Sequence, residues 1–239
     1  MTTESTSLTG LPQKKITTGL KRLQEAGITP ARWLKMLDAQ PADLQRLVAS
    51  WPGAEPIRGT TGNVYHAGAV SLILGLQCEC NDSPPDADDG EIVVYYGGWD
   101  LKQLRLTKAG INQMWQNQNW YDDKGWKAEP GYYRLNLRTP DSNHKNWNEQ
   151  TVHLRTIDEA AQAAPVTVAA TALLVHLRWN GQDLLKNDWC RCAEPLPGDG
   201  RAVLTVHDGR VSVDNSNWDD DRGGNIWLAS SRLVASRKS

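Results

Sequence analysis

Residues 91–139 read EIVVYYGGWDLKQLRLTKAGINQMWQNQNWYDDKGWKAEPGYYRLNLRT and contain four of the eleven tryptophans and five of the six tyrosines of the chain. The segment begins with a strand-like run at residues 92–96, which a Gly-Gly pair ends. Apolar residues at helical spacing follow, although Gly110 argues against one continuous helix. An alternating run at residues 132–137 then predicts a second strand. The segment therefore combines strand and helix signals, and the rest of the chain is organised around it.

A small helical unit is predicted for residues 12–53, N-terminal to this segment. It contains apolar residues at helical spacing. Gly27 is a helix stop signal, and Thr29-Pro30 is a cap and first-position signal for the next helix. Pro52-Gly53 ends the last helix. The unit is either a cap on the main domain or a docking module for a partner. The preceding residues 1–11 are rich in Ser and Thr and are expected to form a mobile tail.

The main domain is predicted to cover residues 57–235, and a frayed tail is expected at residues 236–239. The clearest helix signal begins at Pro165, carries an apolar stripe and ends at Asn180-Gly181. Two strand-like runs flank Asp208-Gly209, which is the strongest short signal for a β-hairpin. These features predict a helix that packs on a sheet.

Shorter runs in the main domain are assigned by their length and spacing. Residues 69–76 fit either a buried strand or a short buried helix. Residues 151–155 predict a short strand, and the Ala-rich residues 157–164 predict a helical turn. Further strands are expected within residues 184–192 and over residues 226–234. The order of elements predicts an α+β protein, with a small helical N-terminal unit followed by a mainly antiparallel sheet domain with one central packed helix.

The composition is that of an ordinary globular protein of 239 residues, with 39% hydrophobic and 23% charged residues. Lys and Arg number 26 and Asp and Glu 28, which gives a formal net charge of −2. Because no large basic field is available to hold a phosphate backbone, nucleic-acid binding is not expected. No apolar run approaches the roughly 20 residues of a membrane span, and the first residues lack the apolar core of a signal peptide. We therefore expect a soluble, cytoplasmic protein without a membrane partner.

Two Cys-x-Cys pairs, Cys78 with Cys80 and Cys190 with Cys192, are candidate metal ligands. On a strand, residues i and i+2 point to the same side, so each pair could present two sulfurs to one face. Two such strands would supply the four thiolates of a structural zinc site. A single intervening residue is fewer than the roughly two to four that are usual in zinc motifs, so four buried thiols are an alternative. A disulfide or redox-active pair is a third interpretation, which a reducing compartment disfavours.

The middle of the opening segment combines aromatic rings with amides and carboxylates, a composition typical of a ligand-binding surface. Aromatic faces stack on the apolar faces of sugar rings, while amides and carboxylates bind hydroxyl groups. Alternatively, the rings pin a long loop onto the core, because Trp side chains are usually mostly buried. The candidate ligand-binding residues are Trp115, Asn119, Trp120, Tyr121, Asp122 and Trp126.

Two acidic loops, residues 82–91 and 214–221, contain enough carboxylates to suggest calcium binding. Neither has the alternating ligands, central Gly and terminal Glu of an EF-hand loop. Solvated surface loops are therefore the better-supported interpretation of both segments.

No catalytic motif occurs in the chain. The five histidines are scattered, and the metalloprotease, nucleophile-elbow and phosphate-loop patterns are absent. His176 falls among the apolar residues of the clearest helix and is expected in the core, whereas His144 lies in a polar loop and is expected to be exposed. No residue is therefore assigned a catalytic role.

The sequence does not determine the function. The best-supported hypothesis is a non-enzymatic binding or interaction protein that uses residues 115–126 as its contact surface for a protein or carbohydrate ligand. The alternative is an enzyme, either a Cys–His or a metal-dependent hydrolase or transferase. A third hypothesis is a structural partner that docks into a larger assembly through the N-terminal helices. A structural zinc is the one cofactor that the sequence suggests.

Overall fold

The computed structural model describes residues 63–78, 80, 82, 84–197, 200–214 and 220–234. The predicted tail at 1–11, helical unit at 12–53 and frayed tail at 236–239 lie outside the described residues. The helices are α1 (Ala67–Leu74), α2 (Leu101–Arg105), α3 (Lys108–Gln113), α4 (Trp147–Ile157) and α5 (Val166–Asn180). The strands are β1 (Asn63–Tyr65), β2 (Ile92–Tyr96), β3 (Gly131–Asn136), β4 (Gln162–Ala163), β5 (Trp189–Leu196), β6 (Gly200–His207), β7 (Arg210–Asp214), β8 (Ile226–Leu228) and β9 (Ser230–Val234).

The strands form two sheets in which antiparallel pairing dominates. Their orders are β1-β2-β3-β9-β4 in the first sheet and β7-β6-β5-β8 in the second. The β1–β2 and β5–β8 pairs are parallel, and the remaining neighbours in the two sheets are antiparallel. The predicted α+β class with a mainly antiparallel sheet is confirmed.

Helix α5 is the element on which both sheets pack. Every residue from Val166 to Leu177 is buried, and the helix contacts β2 and β3 of the first sheet and β5, β6 and β7 of the second. Because nearly the whole circumference meets protein, apolar residues occur all round the helix rather than on one stripe. The buried polar residues among them are Thr167, Thr171 and His176. It ends at Asn180, where Gly181 adopts a left-handed conformation (φ 67°) and donates its N–H to the carbonyl of Leu177. The predicted central packed helix is confirmed.

The β6–β7 hairpin turns at the two residues that the sequence indicated. Asp208 (φ 50°) and Gly209 (φ 68°) both lie in the left-handed region, and His207 pairs with Arg210 across the turn. Two left-handed residues give a turn whose twist matches that of the strands. The hairpin prediction is confirmed.

The chain passes from the second sheet to the first at Ala229, between β8 and β9. The N–H of Ala229 donates to the carbonyl of Arg191 on β5 at 2.9 Å, and its carbonyl accepts from the N–H of Ala164 at 2.8 Å. The predicted single strand at residues 226–234 is therefore two short strands in different sheets. A strand signal reports local spacing and cannot show where the bonding partner changes.

Two short predictions in the main domain are wrong. Residues 151–155, predicted as a strand, lie within α4, because Asn146 and Glu149 form a capping box at its start and Leu154 packs its inner face. Residues 157–164, predicted as a helical turn, begin with the last residue of α4 and include β4, which pairs with β9. Pairing with an available strand edge outweighs the helix propensity of alanine there.

Two ambiguous runs are resolved by their surroundings. Within residues 69–76, the helical alternative is correct, since α1 extends to Leu74 and ends at the left-handed Gly75. The strand expected within residues 184–192 is β5, which begins at Trp189 and extends four residues beyond the predicted range. Residues 101–113 form two short helices rather than one, but the break lies at Leu106 and Thr107, and Gly110 is within α3.

Candidate functional site

The candidate loop at residues 115–126 lies along β7, the edge strand of the second sheet. The N–H of Trp115 donates to the carbonyl of Val211 at 3.2 Å. Gln118 accepts from the N–H of Val213 at 2.9 Å and donates to the hydroxyl of Ser212 at 2.7 Å. The loop thus occupies bonding groups that an edge strand would otherwise leave open to another chain.

Three of the candidate ligand-binding residues are engaged in contacts within the fold. Tyr121 is buried, which raises the pKa of its hydroxyl to about 12. Asp122 accepts two hydrogen bonds from Nη2 of Arg105, at 2.6 and 2.8 Å. The indole N–H of Trp120 donates to the carbonyl of Val213 at 3.3 Å, and its ring meets that of Tyr121 edge-on at 5.4 Å. These contacts hold the loop against α2 and β7.

The side chains of the other three candidates form no hydrogen bond or ion pair with a described residue. Asn119 is exposed, while Trp115 and Trp126 are half-buried. The Trp126 ring meets Trp120 edge-on, with 6.0 Å between centroids. The structure therefore divides the six candidates into an inner set that fastens the loop and an outer set, of which Asn119 is exposed and Trp126 also packs against the core.

Trp115 belongs to a cluster at the tip of the β6–β7 hairpin that includes His207 and Arg210, and these three residues are named the hairpin-tip cluster. The Trp115 and His207 rings are stacked, with centroids 6.4 Å apart and planes inclined by 21°. The Cζ atom of Arg210 lies 5.4 Å from the centroid of the Trp115 ring, within the range of a cation–π contact. His207 and Arg210 are exposed, and Arg210 forms no ion pair with any described residue.

Sequence reasoning identified Trp115 but missed His207 and Arg210. The Asp208-Gly209 turn was the available signal, because a two-residue turn places the residues on either side of it directly opposite each other. What the sequence could not indicate is that Trp115, more than 90 residues earlier, packs beside that turn.

The two cysteine pairs occupy different parts of the fold. Cys190 and Cys192 are buried on β5, whereas Cys78 and Cys80 are half-buried beyond the end of α1. Burial raises the pKa of Cys78 to about 11 and that of Cys192 well above its ordinary value. Within the described ranges, no three or more His, Cys, Asp or Glu side chains are grouped so as to hold a metal ion. The fold therefore offers no assembled zinc ligand set in that part of the chain, and zinc binding stays a prediction.

The acidic loop at residues 82–91 directs two of its carboxylates at one arginine. Nη1 of Arg134 lies 2.6 Å from a carboxylate oxygen of Asp88 and 3.2 Å from one of Glu91. These carboxylates thus serve as ion-pair partners. The second acidic loop, residues 214–221, is described only at its two ends.

His176 lies in the core, as the sequence predicted. A hydrogen bond of 2.7 Å joins its Nδ1 to the hydroxyl of Tyr65, and the side-chain amide of Asn180 lies 3.1 Å from the same nitrogen. Burial lowers the pKa of His176 to about 4, so the ring is neutral at physiological pH. His144 is exposed, also as predicted, and adopts a left-handed conformation (φ 56°).

A half-buried carboxylate at the start of α5 was not found by sequence reasoning. Between Arg191 and Pro195 the register of β5 against β6 shifts by a β-bulge, and such bulges redirect side chains. Glu194, within this bulge, accepts the N–H of Val166 at 2.7 Å. Burial raises its pKa from the ordinary 4.5 to about 7, although that hydrogen bond and Arg201 act in the opposite direction. A near-neutral pKa suits a general acid or base, but this carboxylate is already engaged as a helix cap.

No protein-family model matches this chain, and no curated protein or solved structure is significantly similar to it. Its function must therefore be inferred from its own residues. Among the described helices, none is both long and apolar enough to cross a membrane.

Proposed function

We propose that this chain is a non-enzymatic interaction protein and that the hairpin-tip cluster is its contact surface for a protein partner. The observation that carries the proposal is the position of Arg210, exposed and without an ion-pair partner among the described residues, over the half-buried ring of Trp115. Trp and Arg are the residue types that most often dominate the energy of protein interfaces.

The surroundings of Trp115 support a preorganised surface. Its backbone is bonded to β7, and three residues later Gln118 makes two further hydrogen bonds to the same strand. A surface held in place before binding has less conformational entropy to lose on association. The contacts of the inner residues of the loop thus contribute to binding without touching the partner.

A protein surface that presents a carboxylate fits the cluster better than a carbohydrate does. Sugars stack on an open aromatic face, whereas the Trp115 ring is already contacted by His207 and by Arg210. The guanidinium of Arg210 can pair with a carboxylate in a bidentate manner. Carbohydrate binding would instead have to use Trp126 and Asn119.

A cytoplasmic location is part of the proposal. The four cysteines are free thiols, which agrees with a reducing compartment. The two alternative functions have less support. For the enzyme alternative, no hydrogen bond joins a cysteine to a histidine in the described part of the chain. The docking alternative uses residues 12–53, which lie outside the described residues.

The proposal is tested by charge reversal at Arg210. Immobilised wild-type protein and Arg210→Glu are incubated with lysate of the source cells, and the proteins retained are compared. Arg155→Glu is the matched control, because Arg155 is also exposed and free of ion pairs with described residues but lies on α4. A protein retained by the wild type and the control, and lost with Arg210→Glu, is purified for binding measurements.

The purified partner is expected to bind Arg210→Glu at least about 10-fold more weakly than wild type, because a truncated or reversed hot-spot residue costs roughly 2 kcal/mol or more. Arg155→Glu should bind as wild type does. Equal retention of every protein by the three forms would overturn the proposal. If the wild-type protein binds a glycan on an array and Trp126→Ala does not, the carbohydrate alternative is favoured.

A further inference from the structure

A small pocket lies between α4 and the first sheet, away from the elements that carry the hairpin-tip cluster. Its volume is about 90 Å³, enough for a few water molecules or one small solute and well below the roughly 300 Å³ of a site for a drug-sized ligand. Apolar side chains of α4, Leu154 and Ile157, form one wall. The charged residues that line it are Glu91, Arg134, Asp158 and Arg232.

The floor of the pocket contains two arginines that are direct neighbours. Arg134 on β3 and Arg232 on β9 are paired across the two antiparallel strands. Like charges in directly opposite positions destabilise a sheet unless anions compensate them. Here Asp88 and Glu91 contact Nη1 of Arg134, and Asp158 lies 3.3 Å from Nη1 of Arg232.

Both guanidinium groups retain donors for a ligand. The ion pairs use only Nη1 of each arginine, and Nε and Nη2 donate to no described residue. The Arg134 side chain is only 18% exposed and that of Arg232 39% exposed. Guanidinium groups held by neighbouring carboxylates and partly removed from water are arranged to receive a carboxylate in a bidentate manner.

We propose that this pocket binds a small zwitterion, which carries one carboxylate and one ammonium group, such as a free amino acid of about the size of alanine. A simple anion would approach the arginines but would also meet Glu91 and Asp158. A simple cation would approach these carboxylates but would be repelled by the two arginines. A zwitterion places each of its charges beside the opposite sign and leaves its small side chain for Leu154 and Ile157. Thr139, Ser230 and Ser231 also line the pocket. The Thr139 hydroxyl donates to that of Ser230 at 2.8 Å, and the oxygens of these hydroxyls can accept further hydrogen bonds.

The test uses the full chain labelled with ¹⁵N and three probes, L-alanine, acetate and methylammonium. L-alanine is expected to shift the amide signals of Arg134, Asp158 and Arg232 saturably at millimolar concentration, and the other two probes to bind at least about 10-fold more weakly. Saturation by acetate at the same concentration as alanine would reduce the site to a simple anion site and overturn the proposal. So would the absence of any saturable shift with alanine up to roughly 20 mM.

A variant pair locates the binding. Arg232→Gln removes one guanidinium and is expected to weaken alanine binding at least about 10-fold, because a charge-assisted bidentate contact is lost. Arg155→Gln removes a guanidinium from the exposed face of α4 and should leave binding unchanged. Unaltered binding by Arg232→Gln would overturn the assignment to this pocket. Because the comparison of probes is made on the wild-type protein, it stands even where a variant folds poorly, and neither result depends on the hairpin-tip cluster.

Discussion

A carboxylate oxygen of Glu194 accepts the backbone N–H of Val166 at 2.7 Å, so a residue of β5 caps the first turn of the buried helix α5. The residue at the N-cap position of this helix is Pro165, which makes no side-chain cap hydrogen bond. The first N–H groups of a helix have no partner within it and need one when the helix start is buried. The β-bulge that carries Glu194 therefore supplies, from another part of the chain, the acceptor that the local sequence lacks.

Glu194 is expected to make the protein less stable as the pH rises from about 4.5 to about 7. Its folded-state pKa of about 7 lies above the ordinary 4.5, so the folded protein binds the proton more tightly than the unfolded chain does. Its contribution is complete below pH 4.5 and is lost as the pH rises through 7, with a limit of roughly 3 kcal/mol. Urea unfolding of wild type and Glu194→Gln across this range measures it. The amide cannot titrate, and parallel pH profiles of the two proteins would contradict the prediction.

His176 is expected to change stability in the opposite direction, over a pH range that overlaps that of Glu194. Burial lowers its pKa from 6.5 to about 4, so the unfolded chain takes up the proton first as the pH falls. The contribution to stability is complete above about pH 6.5 and is lost as the pH falls through 4, up to roughly 3 kcal/mol. The effect is measured by urea unfolding of His176→Gln in the Glu194→Gln background, where the carboxylate no longer masks it. If the double variant loses as much stability on acidification as Glu194→Gln alone, another group is responsible.

The sequence allowed the prediction of those features whose determinants are close together in the chain. The Asp208-Gly209 turn requires only two residues that tolerate a left-handed conformation. Helix α5 can be predicted from its apolar composition and from Gly181 at its end. The burial of His176 also followed from its apolar neighbours in the helix. These predictions depend on local backbone preference and spacing, which a single sequence contains.

Features that depend on distant partners could not be predicted. Glu194 acts as a cap only because a bulge turns it toward a helix start 28 residues away. Arg134 and Arg232 share a pocket because β3 and β9 are neighbours, although they lie almost 100 residues apart in the chain. Strand order is a property of the whole fold, so neither the helix cap nor the pocket has a local signal.

The close packing around Gly110 predicts that adding a single methyl group at this position lowers the stability of the protein. A Cβ at this position would lie 2.0 Å from the carbonyl oxygen of Leu104, because α3 turns back closely on α2. Gly110→Ala is therefore expected to lower the free energy of unfolding by at least about 2 kcal/mol, since backbone must move to relieve the overlap. The matched control is Gly68→Ala in α1, where the nearest atoms belong to the side chain of His66 at 3.3 Å.

The control variant is expected to stay within about 1 kcal/mol of wild type, because alanine has the higher helix propensity. The His66 ring, which accepts the N–H of Ala69 at 3.2 Å, needs to yield by only a few tenths of an ångström. Both variants are compared by urea unfolding. Equal stabilities of Gly110→Ala and Gly68→Ala would mean that the close approach of α2 and α3 is not rigid in solution.

The Arg105–Asp122 ion pair is expected to contribute strongly to the attachment of residues 115–126 to the domain. The two side chains are only 10% and 16% exposed, and Asp122 accepts two hydrogen bonds from the guanidinium. Asp122→Ala would leave a nearly buried charge without its partner, so it is expected to cost about 3 kcal/mol. Lys127→Ala is the control, because it removes a more exposed pair with Asp100 at 3.7 Å and should cost less than about 0.5 kcal/mol.

Loosening of the loop should also be visible without unfolding the protein. In folded Asp122→Ala, acrylamide is expected to quench the tryptophan fluorescence more strongly than in wild type, because Trp120 and Trp126 lie in the loop that the ion pair fastens. The fluorescence of Lys127→Ala should be quenched by acrylamide to the same extent as that of wild type. A large loss of stability without a change in quenching would place the cost in α2, which carries Arg105, and would show that the hydrogen bonds of Gln118 to β7 suffice to hold the loop.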